Sequence, residues 1–378
     1  MDFNIQNKTK EVKKKRYSWG LLVALILVIL LGIFIKYENI ILNILNPKNI
    51  GQSISKNVNT ENIYPIKGSL YFVKNNNLWY IKGIKAHKVT NTNNVSDIAI
   101  SKNGVKVSYV TFHTNYSNLH EMNINGTNNR RITQWSNPNI ANNAWSATPT
   151  FSPDGQYIAY LSNIEDLLTG VPIASLGVWM IPSNAVFPTY GSQLYNETLL
   201  IKANPYTGGD AGLNWPNNNF LLYTSYIYYT NTPQPNSQIM LYDFNTQQSY
   251  PVTPVSSDAM QPRLSPNENY LAFTKRVGNN SNYLYLMKFN LNNILTHTEN
   301  SNFNTYNNKI LVQNGITSEP VWSPSGNSIA FSYFNNNSFD IFLKNIIIKK
   351  NKLSTGKLIQ ITSNSSIDST SKMYWLSN

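Results

Sequence analysis

A unit of ten residues recurs along this chain. Its copies are FSPDGQYIAY at 151–160, LSPNENYLAF at 264–273, WSPSGNSIAF at 322–331 and a more divergent ISKNGVKVSY at 100–109. Each copy has an apolar strand, a polar turn that begins with Ser, and a second strand that mixes small and aromatic residues, so each predicts a β-hairpin. Repeats at this spacing predict a β-propeller.

Two further strands follow the hairpins, as a blade of four antiparallel strands requires. Candidates for the third strand are LHEM at 119–122, VWMI at 178–181, IMLYDF at 239–244, YLYLMKF at 283–289 and DIFLKN at 340–345. Candidates for the fourth strand end in Thr133, Thr253 and Thr362, each after a β-branched residue. These landmarks predict blades at about 95–135 and 147–202, a third that closes at Thr253, and two that begin near Met260 and Ser318.

The two ends of the repeat region each carry part of a blade. Segments SLYFV, LWYI and HKVT within 69–90 predict a second, third and fourth strand, and SKMYWLSN at 371–378 predicts a first strand. Pairing of this C-terminal strand with the N-terminal hairpin would complete a sixth blade and remove the open sheet edges. The predicted fold class is therefore all-β, a six-bladed propeller with four-stranded blades.

Composition fits one large β domain and excludes several functions. The chain has 378 residues, of which 41% are hydrophobic and 13% charged, as expected for a protein with a core. It has no cysteine, which excludes disulfides, thiolate metal ligands and a cysteine nucleophile. The net charge is +12, but beyond the first 16 residues the basic residues form no stripe, so we expect no nucleic acid as partner. We expect the propeller to be a monomer.

The N-terminal region predicts a membrane anchor. Residues 17–35, YSWGLLVALILVILLGIFI, carry no charge, and as a helix they would span about 28 Å. Because KKKR at 13–16 precedes them, the positive-inside tendency predicts a cytoplasmic tail at 1–16, a transmembrane signal anchor, a linker at 36–66 and a propeller at 67–378 in the periplasm or at the cell surface. A cleaved signal peptide is the alternative, although no small-x-small cleavage site follows the apolar run.

The repeat resembles the WD40-like (PD40) repeat of the TolB-type propeller family. The resemblance covers about 67–378 and is strongest in PTFSPDGQYIAYLSN at 149–163, EPVWSPSGNSIAFSY at 319–333 and LHEMNINGTNNRRIT at 119–133. It implies a propeller with a binding function. The family's periplasmic protein has a small α/β domain before its propeller, whereas this chain has the predicted anchor and linker. The resemblance therefore does not extend to TolB itself or to a Tol-Pal role.

Catalytic motifs are scarce in this sequence. It contains no G-x-S-x-G, and it has no room for an α/β-hydrolase domain. The four histidines, His87, His113, His120 and His297, are spread over three predicted blades, and His113 and His120 with Glu121 come nearest to a ligand set. PYTGGDAG at 205–212 lacks the Lys and the following helix of a phosphate loop, so it predicts a turn with positive φ or a rim loop near the channel. No catalytic residue, cofactor site or metal site is predicted.

Acidic residues near the entry of inner strands are the candidate binding residues. They are Asp97, Asp210, Asp258, Glu319 and Asp368. Because inner strands converge on the channel, these carboxylates would form a ring at one channel mouth that attracts a cation such as calcium or a basic segment of a partner. The alternative is that each caps a local turn. Long segments at 163–176, 184–197 and 290–308 are further candidates for recognition, although the Asn-, Thr- and Ser-rich last one also suits disorder.

Together these features predict a membrane-tethered, extracytoplasmic propeller. Residues 17–35 would bind the membrane, and the propeller would act as a non-catalytic scaffold that binds a protein or a component of the cell envelope. The alternative is a propeller enzyme, either a lyase or a glycan-acting hydrolase, with a carboxylate or metal site in its channel.

Overall fold

In the described part of the chain, six antiparallel sheets of four strands, one of them extended by a short parallel strand, form the fold, which confirms the predicted all-β, six-bladed propeller. The computed structural model describes residues 64–377 except 138, 140–142, 171–174, 187–196, 206, 228–234, 279, 299–300 and 351. The predicted basic tail and anchor, and the linker up to residue 63, lie outside the described residues. Within the described part of the chain, no helix is long and apolar enough to cross a bilayer.

The strands follow one another blade by blade along the chain. Blade 1 begins with β1 (Ile66–Lys74), β2 (Asn77–Gly83) and β3 (Lys85–Lys88), and blade 2 has β4 (Ser96–Ile100), β5 (Lys106–Phe112), β6 (Ser117–Asn123) and β7 (Arg130–Arg131). Blade 3 has β8 (Ala147–Phe151), β9 (Tyr157–Ser162), β10 (Ser175–Pro182), β11 (Thr198–Ile201) and a short fifth strand, β12 (Gly208–Gly209). Blade 4 has β13 (Ala211–Asn214), β14 (Phe220–Ile227), β15 (Asn236–Asp243) and β16 (Gln248–Pro251).

The remaining strands complete blades 5, 6 and 1. Blade 5 has β17 (Ala259–Leu264), β18 (Tyr270–Val277), β19 (Ser281–Lys288) and β20 (Ile310–Gln313), and blade 6 has β21 (Thr317–Trp322), β22 (Ser328–Asn335), β23 (Ser338–Lys349) and β24 (Lys352–Gln360). The last strand, β25 (Tyr374–Leu376), returns to blade 1. Three short helices lie in connections: α1 (Ile164–Thr169), α2 (Leu291–Ile294) and α3 (Asn304–Asn307).

The repeated Ser organises the turn between the first two strands of a blade. In blade 3 the Ser152 hydroxyl accepts a hydrogen bond from Tyr157 N at 2.9 Å, and Gly155 has φ of 73°. The same bond, from the amide five residues on, recurs at Ser101, Ser265 and Ser323. The recurring ten-residue unit therefore specifies a self-capped hairpin turn.

The repeated Thr has a different structural role. The hydroxyl of Thr253 accepts a hydrogen bond from Ile239 N at 2.9 Å, which satisfies an amide of the third strand just beyond the end of the fourth. Equivalent bonds join Leu78 N to Thr90, Leu119 N to Thr133 and Ile341 N to Thr362. Because these amides are buried, the Thr hydroxyl replaces the ladder partner that the short fourth strand does not supply.

Inner strands of blades 2 to 6 carry a β-bulge near their start. The register with the second strand shifts there, and the first bulged residue has positive φ: Asp97, Thr148, Gly212, Gln261 or Glu319. Each of these residues stands three positions before the apolar residue that ends the strand motif. In blade 1, Lys372 stands at this position relative to Trp375.

The C-terminal strand closes the ring as predicted. Residues Tyr374 to Leu376 of β25 pair antiparallel with Ser69 to Tyr71 of β1. The indole Nε1 of Trp375 donates a hydrogen bond to Lys67 O at 2.7 Å. Met373 is 3% exposed and belongs to the apolar cluster shared by blades 6 and 1.

The segment 290–308 packs on the propeller. It contains α2 and α3, and Ile294, Phe303 and Tyr306 are buried in the apolar cluster of blades 4 and 5. The alternative prediction of disorder, which rested on the polar composition of this segment, is therefore wrong for its described residues. Three apolar side chains are enough to hold this Asn-rich segment against the propeller, because the cluster already provides the apolar surface on which they pack.

We expect Met373→Ala to lower the free energy of unfolding by about 2–4 kcal/mol, because it leaves a cavity where the closing strand packs. The matched control is Ser377→Ala, at an exposed position of the same terminus, which should change stability by less than about 0.5 kcal/mol. Chemical denaturation measures both values. Equal stability of the two variants would contradict a closure that depends on the C-terminal strand.

Candidate functional site

A funnel of about 350 Å³ opens where the inner strands end. Each blade contributes the apolar residue at the end of its inner-strand motif: Trp375, Ile100, Phe151, Trp215, Leu264 and Trp322. Proline residues of the turns, Pro153, Pro216 and Pro266 among them, also line it. The inner-strand repeat thus builds a concave surface on the propeller axis, with apolar and polar lining in nearly equal parts, which is a usual setting for a ligand site.

Beneath the funnel, a cluster of ionisable side chains fills the channel. Its members stand one to three residues before the apolar funnel residues on the inner strands. At 3.3 Å per residue, they lie up to about 10 Å deeper in the channel than the funnel residues. They are Asp97, Arg263, Glu319 and Lys372, with relative exposures of 8%, 7%, 5% and 2%. We call these four residues the channel cluster. Its two carboxylates balance its two cations, so the cluster is formally neutral.

Glu319 is fully engaged within the channel cluster. Its Oε2 accepts a hydrogen bond from Arg263 Nη2 at 2.6 Å, and its Oε1 accepts one from Gln261 Nε2 at 2.8 Å. Arg263 also donates to Pro262 O at 2.8 Å. Burial raises the pKa of Glu319, and the charge of Arg263 opposes that rise.

Lys372 and Asp97 both form hydrogen bonds with the inner strand of blade 3. Lys372 Nζ donates hydrogen bonds to Pro149 O at 2.7 Å and Thr148 O at 3.2 Å. The amide of Thr148 donates to Asp97 Oδ2, while Asp97 Oδ1 has no hydrogen-bond partner among the described residues. The bulge in β8, where Thr148 has φ of 41°, therefore presents its carbonyl to the cation and its amide to the carboxylate.

Burial dominates the ionisation of both groups. It raises the pKa of Asp97 to about 7, against the opposing effects of Lys372 and the Thr148 amide. It lowers the pKa of Lys372 to about 7, with a further lowering from Arg263, while Asp97 and Glu319 act in the opposite direction. Each charge in the cluster is thus stabilised mainly by the opposite charges beside it.

The other predicted acids lie apart from this cluster. Asp258 forms an ion pair with Arg276 at 2.8 Å, and Asp368 accepts hydrogen bonds from the amide and hydroxyl of Thr370 at 2.9 and 2.7 Å. The contacts of Asp368 fit local capping, whereas Asp258 is held by an ion pair with a residue of β18. Of the five predicted acids, only Asp97 and Glu319 occupy the bulge position. The structure places them inside the channel, and their role in binding a ligand stays a prediction.

Asp210 is buried without a counter-charge. It follows β12, and its amide donates to Leu176 O at 2.9 Å, while Oδ2 has no hydrogen-bond partner in the described part of the chain. Burial raises its pKa to about 8, and a hydrogen bond with Ser225 opposes the rise. The segment PYTGGDAG around it has the predicted positive φ at Gly208, Gly209 and Gly212, and it also forms β12 against β10, which the sequence did not indicate.

The histidines stack on aromatic rings at separate places. His87 stacks on Tyr80 with ring centroids 4.8 Å apart, and His113 stacks on Tyr116 at 4.4 Å. Burial lowers the pKa of His120 to about 4. Glu121, next to His120, forms ion pairs with Lys106 and Arg130. Among the described residues, no three His, Asp or Glu side chains form a group that could hold a metal ion.

Sequence inspection missed Arg263, Lys372 and the funnel tryptophans. The signal was present in the alignment of the repeats themselves. Trp322 and Trp375 occupy the position of Phe151, and Lys372 occupies the position of Glu319. These positions face the shared axis of the propeller, so residues that differ between the repeats place different side-chain types next to one another in the channel.

Comparison with solved structures supports the fold. TolB from Acinetobacter baumannii has a TM-score of 0.53 at 15% identity, covering 82% of this chain and 67% of that chain. Putative TolB from Agrobacterium tumefaciens has 0.50 at 13%, covering 81% and 92%, and hydrazine synthase from Kuenenia stuttgartiensis has 0.54 at 10%, covering 83% and 48%. No family model and no curated protein matches the chain. At these identities the likeness shows a TolB-like propeller fold alone.

We expect Lys372→Met to cost about 3 kcal/mol of unfolding free energy at pH 7, because it leaves the buried carboxylate of Asp97 without a neighbouring cation. Adding Asp97→Asn should restore at least about 1 kcal/mol, since the two groups are coupled. Urea denaturation of the two single variants and the double variant measures the coupling. The control is Lys102→Met, at an exposed lysine. Strictly additive effects would contradict the coupling.

Asp210→Asn should become more stable relative to the parent chain as pH rises. The folded-state pKa of about 8 lies above the unfolded value, so the parent loses stability between about pH 4 and 8. The difference should grow by up to about 1.4 kcal/mol per pH unit. Denaturation curves at pH 5, 6, 7 and 8 measure it.

The matched control is Asp154→Asn, whose parent carboxyl is exposed in a turn. The Ser152 hydroxyl and the Gln156 amide lower the pKa of Asp154, so its contribution is lost only as pH falls below about 4. Its difference from the parent should be flat between pH 5 and 8. A flat difference for Asp210→Asn as well would show that its carboxyl is not protonated in the folded protein.

Proposed function

We propose that this protein is a membrane-tethered, extracytoplasmic propeller that binds a segment of a protein or of a cell-envelope component in its funnel, without catalysing a reaction. The single observation that carries the proposal is the funnel closed beneath by the channel cluster. A concave pocket on the axis of a rigid fold, with aromatic rings and polar groups in its lining, suits binding. The tether itself rests on residues 13–35 of the sequence.

Two charged groups of the funnel lining already have protein partners. Arg263 is paired with Glu319, and Glu268 at the rim accepts a hydrogen bond from Asn217 at 2.9 Å. The half-buried rings of Trp215, Tyr374 and Trp375 remain available to a ligand. Aromatic rings with a few polar rim groups are typical of recognition surfaces.

The size of the funnel limits its ligand. A volume of about 350 Å³ lies at the lower end of the range for small-ligand pockets. It accommodates a few side chains of a peptide or one or two sugar rings. A partner would therefore insert a short segment and make its remaining contacts on the rim.

Capture of partners by the full chain in its native membrane tests the proposal. We expect Trp215→Ala to reduce partner recovery at least about tenfold, because loss of a central aromatic contact costs more than 1.4 kcal/mol. Trp215→Phe should keep most of the binding. Phe112→Ala is the control, since Phe112 is 52% exposed on a strand end away from the funnel. Equal recovery with all variants would contradict a funnel site.

A turnover screen addresses the alternative of a propeller enzyme. The same purified full chain is incubated with acidic and neutral polysaccharides, with and without added divalent cations. We expect no product above the level of a heat-denatured sample. Product that depends on Asp97 or Glu319 would favour the enzyme over the scaffold.

A further inference from the structure

The direction of the strands decides which turns share a face with the funnel. Inner strands run toward the funnel, and neighbouring strands within a blade are antiparallel, so third strands also run toward it. Turns from first to second strand, and from third to fourth strand, therefore lie on the same face of the propeller. We call it the funnel face. Second strands end on the opposite face.

Lysines concentrate on the funnel face of blades 6, 1 and 2. Lys82 and Lys102 line a groove of about 510 Å³ beside the funnel, together with Trp375. The exposed lysines on this face are Lys67, Lys82, Lys85, Lys102, Lys349, Lys350 and Lys352. None of the seven has a side-chain hydrogen bond or an ion pair among the described residues.

No exposed carboxylate offsets this charge among the described residues of the three blades. Their acidic residues are Asp97 and Glu319 in the channel, Glu121 and Asp340, which are 4% and 1% exposed, and Asp368, which lies on the opposite face. Blades 3 and 5, in contrast, carry Asp154 and Glu268 in their funnel-face turns. Lys288 is exposed on the same face at the end of β19, but Glu268 of the same blade offsets it, so the net positive charge lies in the sector of blades 6, 1 and 2.

Exposed apolar side chains stand among these lysines. Ile84 is 54% exposed in the turn between β2 and β3, flanked by Lys82 and Lys85. Val105 is 49% exposed in the turn that contains Lys102, Ile348 is 50% exposed beside Lys349, and Tyr64 is 45% exposed where the described chain begins. Each therefore projects an apolar group from a basic turn or strand end. That combination is typical of surfaces that bind the interface of an anionic bilayer.

The blade 6 hairpin extends this surface. Its β23 has 12 residues and β24 has 9, and Ile346 to Lys349 pair with Lys352 to Thr355 beyond the body of the blade. Residues 344–360 contain five lysines and no acidic residue. The hairpin tip therefore carries charge and an exposed isoleucine outward on the funnel face.

The chain enters the propeller on this same face. The strand β1 begins at Ile66, and Lys67 O beside it bonds Trp375 at the funnel. From the end of the predicted anchor to Ile66 the chain can span at most about 100 Å, at 3.3–3.6 Å per residue. A tethered domain meets the bilayer at a high effective concentration, so weak contacts suffice.

We propose that the funnel face of blades 6, 1 and 2 is a second membrane contact that binds anionic phospholipid and turns the funnel toward the bilayer. The lysines contact lipid phosphates, while Ile84, Val105 and Ile348 enter the headgroup layer. This inference rests on the membrane tether of the proposed function. It does not depend on what the funnel binds.

Single cysteines report the contact, because the chain contains none. Full-length Ile84→Cys and Ile348→Cys are labelled with an environment-sensitive fluorophore and reconstituted into vesicles of phosphatidylcholine with or without phosphatidylglycerol. We expect emission to shift to shorter wavelength only with phosphatidylglycerol, and the shift to be lost at 0.5 M salt, where the Debye length is about 4 Å. Phe112→Cys and Phe334→Cys, exposed at second-strand ends on the opposite face, are matched controls.

Charge reversal provides a second measurement. Lys349→Glu, Lys350→Glu and Lys352→Glu together should reduce the shift of the label at residue 84 by about half or more, since each lysine contributes to the attraction. Thermal melting of these surface variants checks that they fold. Labels at 84 and 348 that respond no more than those at 112 and 334 would overturn the inference.

Vesicle flotation separates this inference from the proposed tether. If the full chain floats with neutral vesicles while the labels stay unresponsive in anionic ones, the tether stands and the second contact is overturned. If the chain fails to float with neutral vesicles and binds only anionic ones, the surface contact stands and the tether fails. If the chain floats with neither kind of vesicle and the labels show no shift, both the tether and the second contact are overturned.

Discussion

Pairing of β25 with β1 is the interaction on which the rest of the structure depends. It joins Leu376 to Ser69, so the ends of the ring meet across nearly the whole described chain. Such a contact has a large loop-closure cost, and the face-to-face packing of six blades offsets that cost. Without the pairing, β1 would expose an unpaired edge, and Met373 would lose its place between blades 6 and 1.

The closing strand also completes the channel. It delivers Lys372 to carbonyls of blade 3, and this cation faces a cluster in which Glu319 is already held by Arg263. Two carboxylates and two cations removed from water are stable only when all of them are in position, which ties the polar interior to closure of the ring.

Much of the fold was predictable because each repeat carries its own local chemistry. Ser152 and its counterparts cap turns through their hydroxyls, and Thr253 and its counterparts cap third strands, so blade order and closure follow from short patterns. Two features escaped prediction. The strand β12 depends on backbone pairing with β10, and the burial of Phe303 and Tyr306 depends on an apolar cluster that blades 4 and 5 build together. Both contacts arise only when the blades have packed.

By itself, the sequence determined the fold class, the six blades, the closing strand and the number of basic and acidic groups. Tertiary structure alone decided which of them meet. Asp97 and Glu319 share the channel with Lys372 and Arg263, whereas Asp258 and Asp368 have local partners. For the acids the bulge position decides this, since Asp97 and Glu319 occupy it and Asp258 and Asp368 do not. A count of charged residues does not show which of them meet, because side chains face each other across the channel only once the ring is closed.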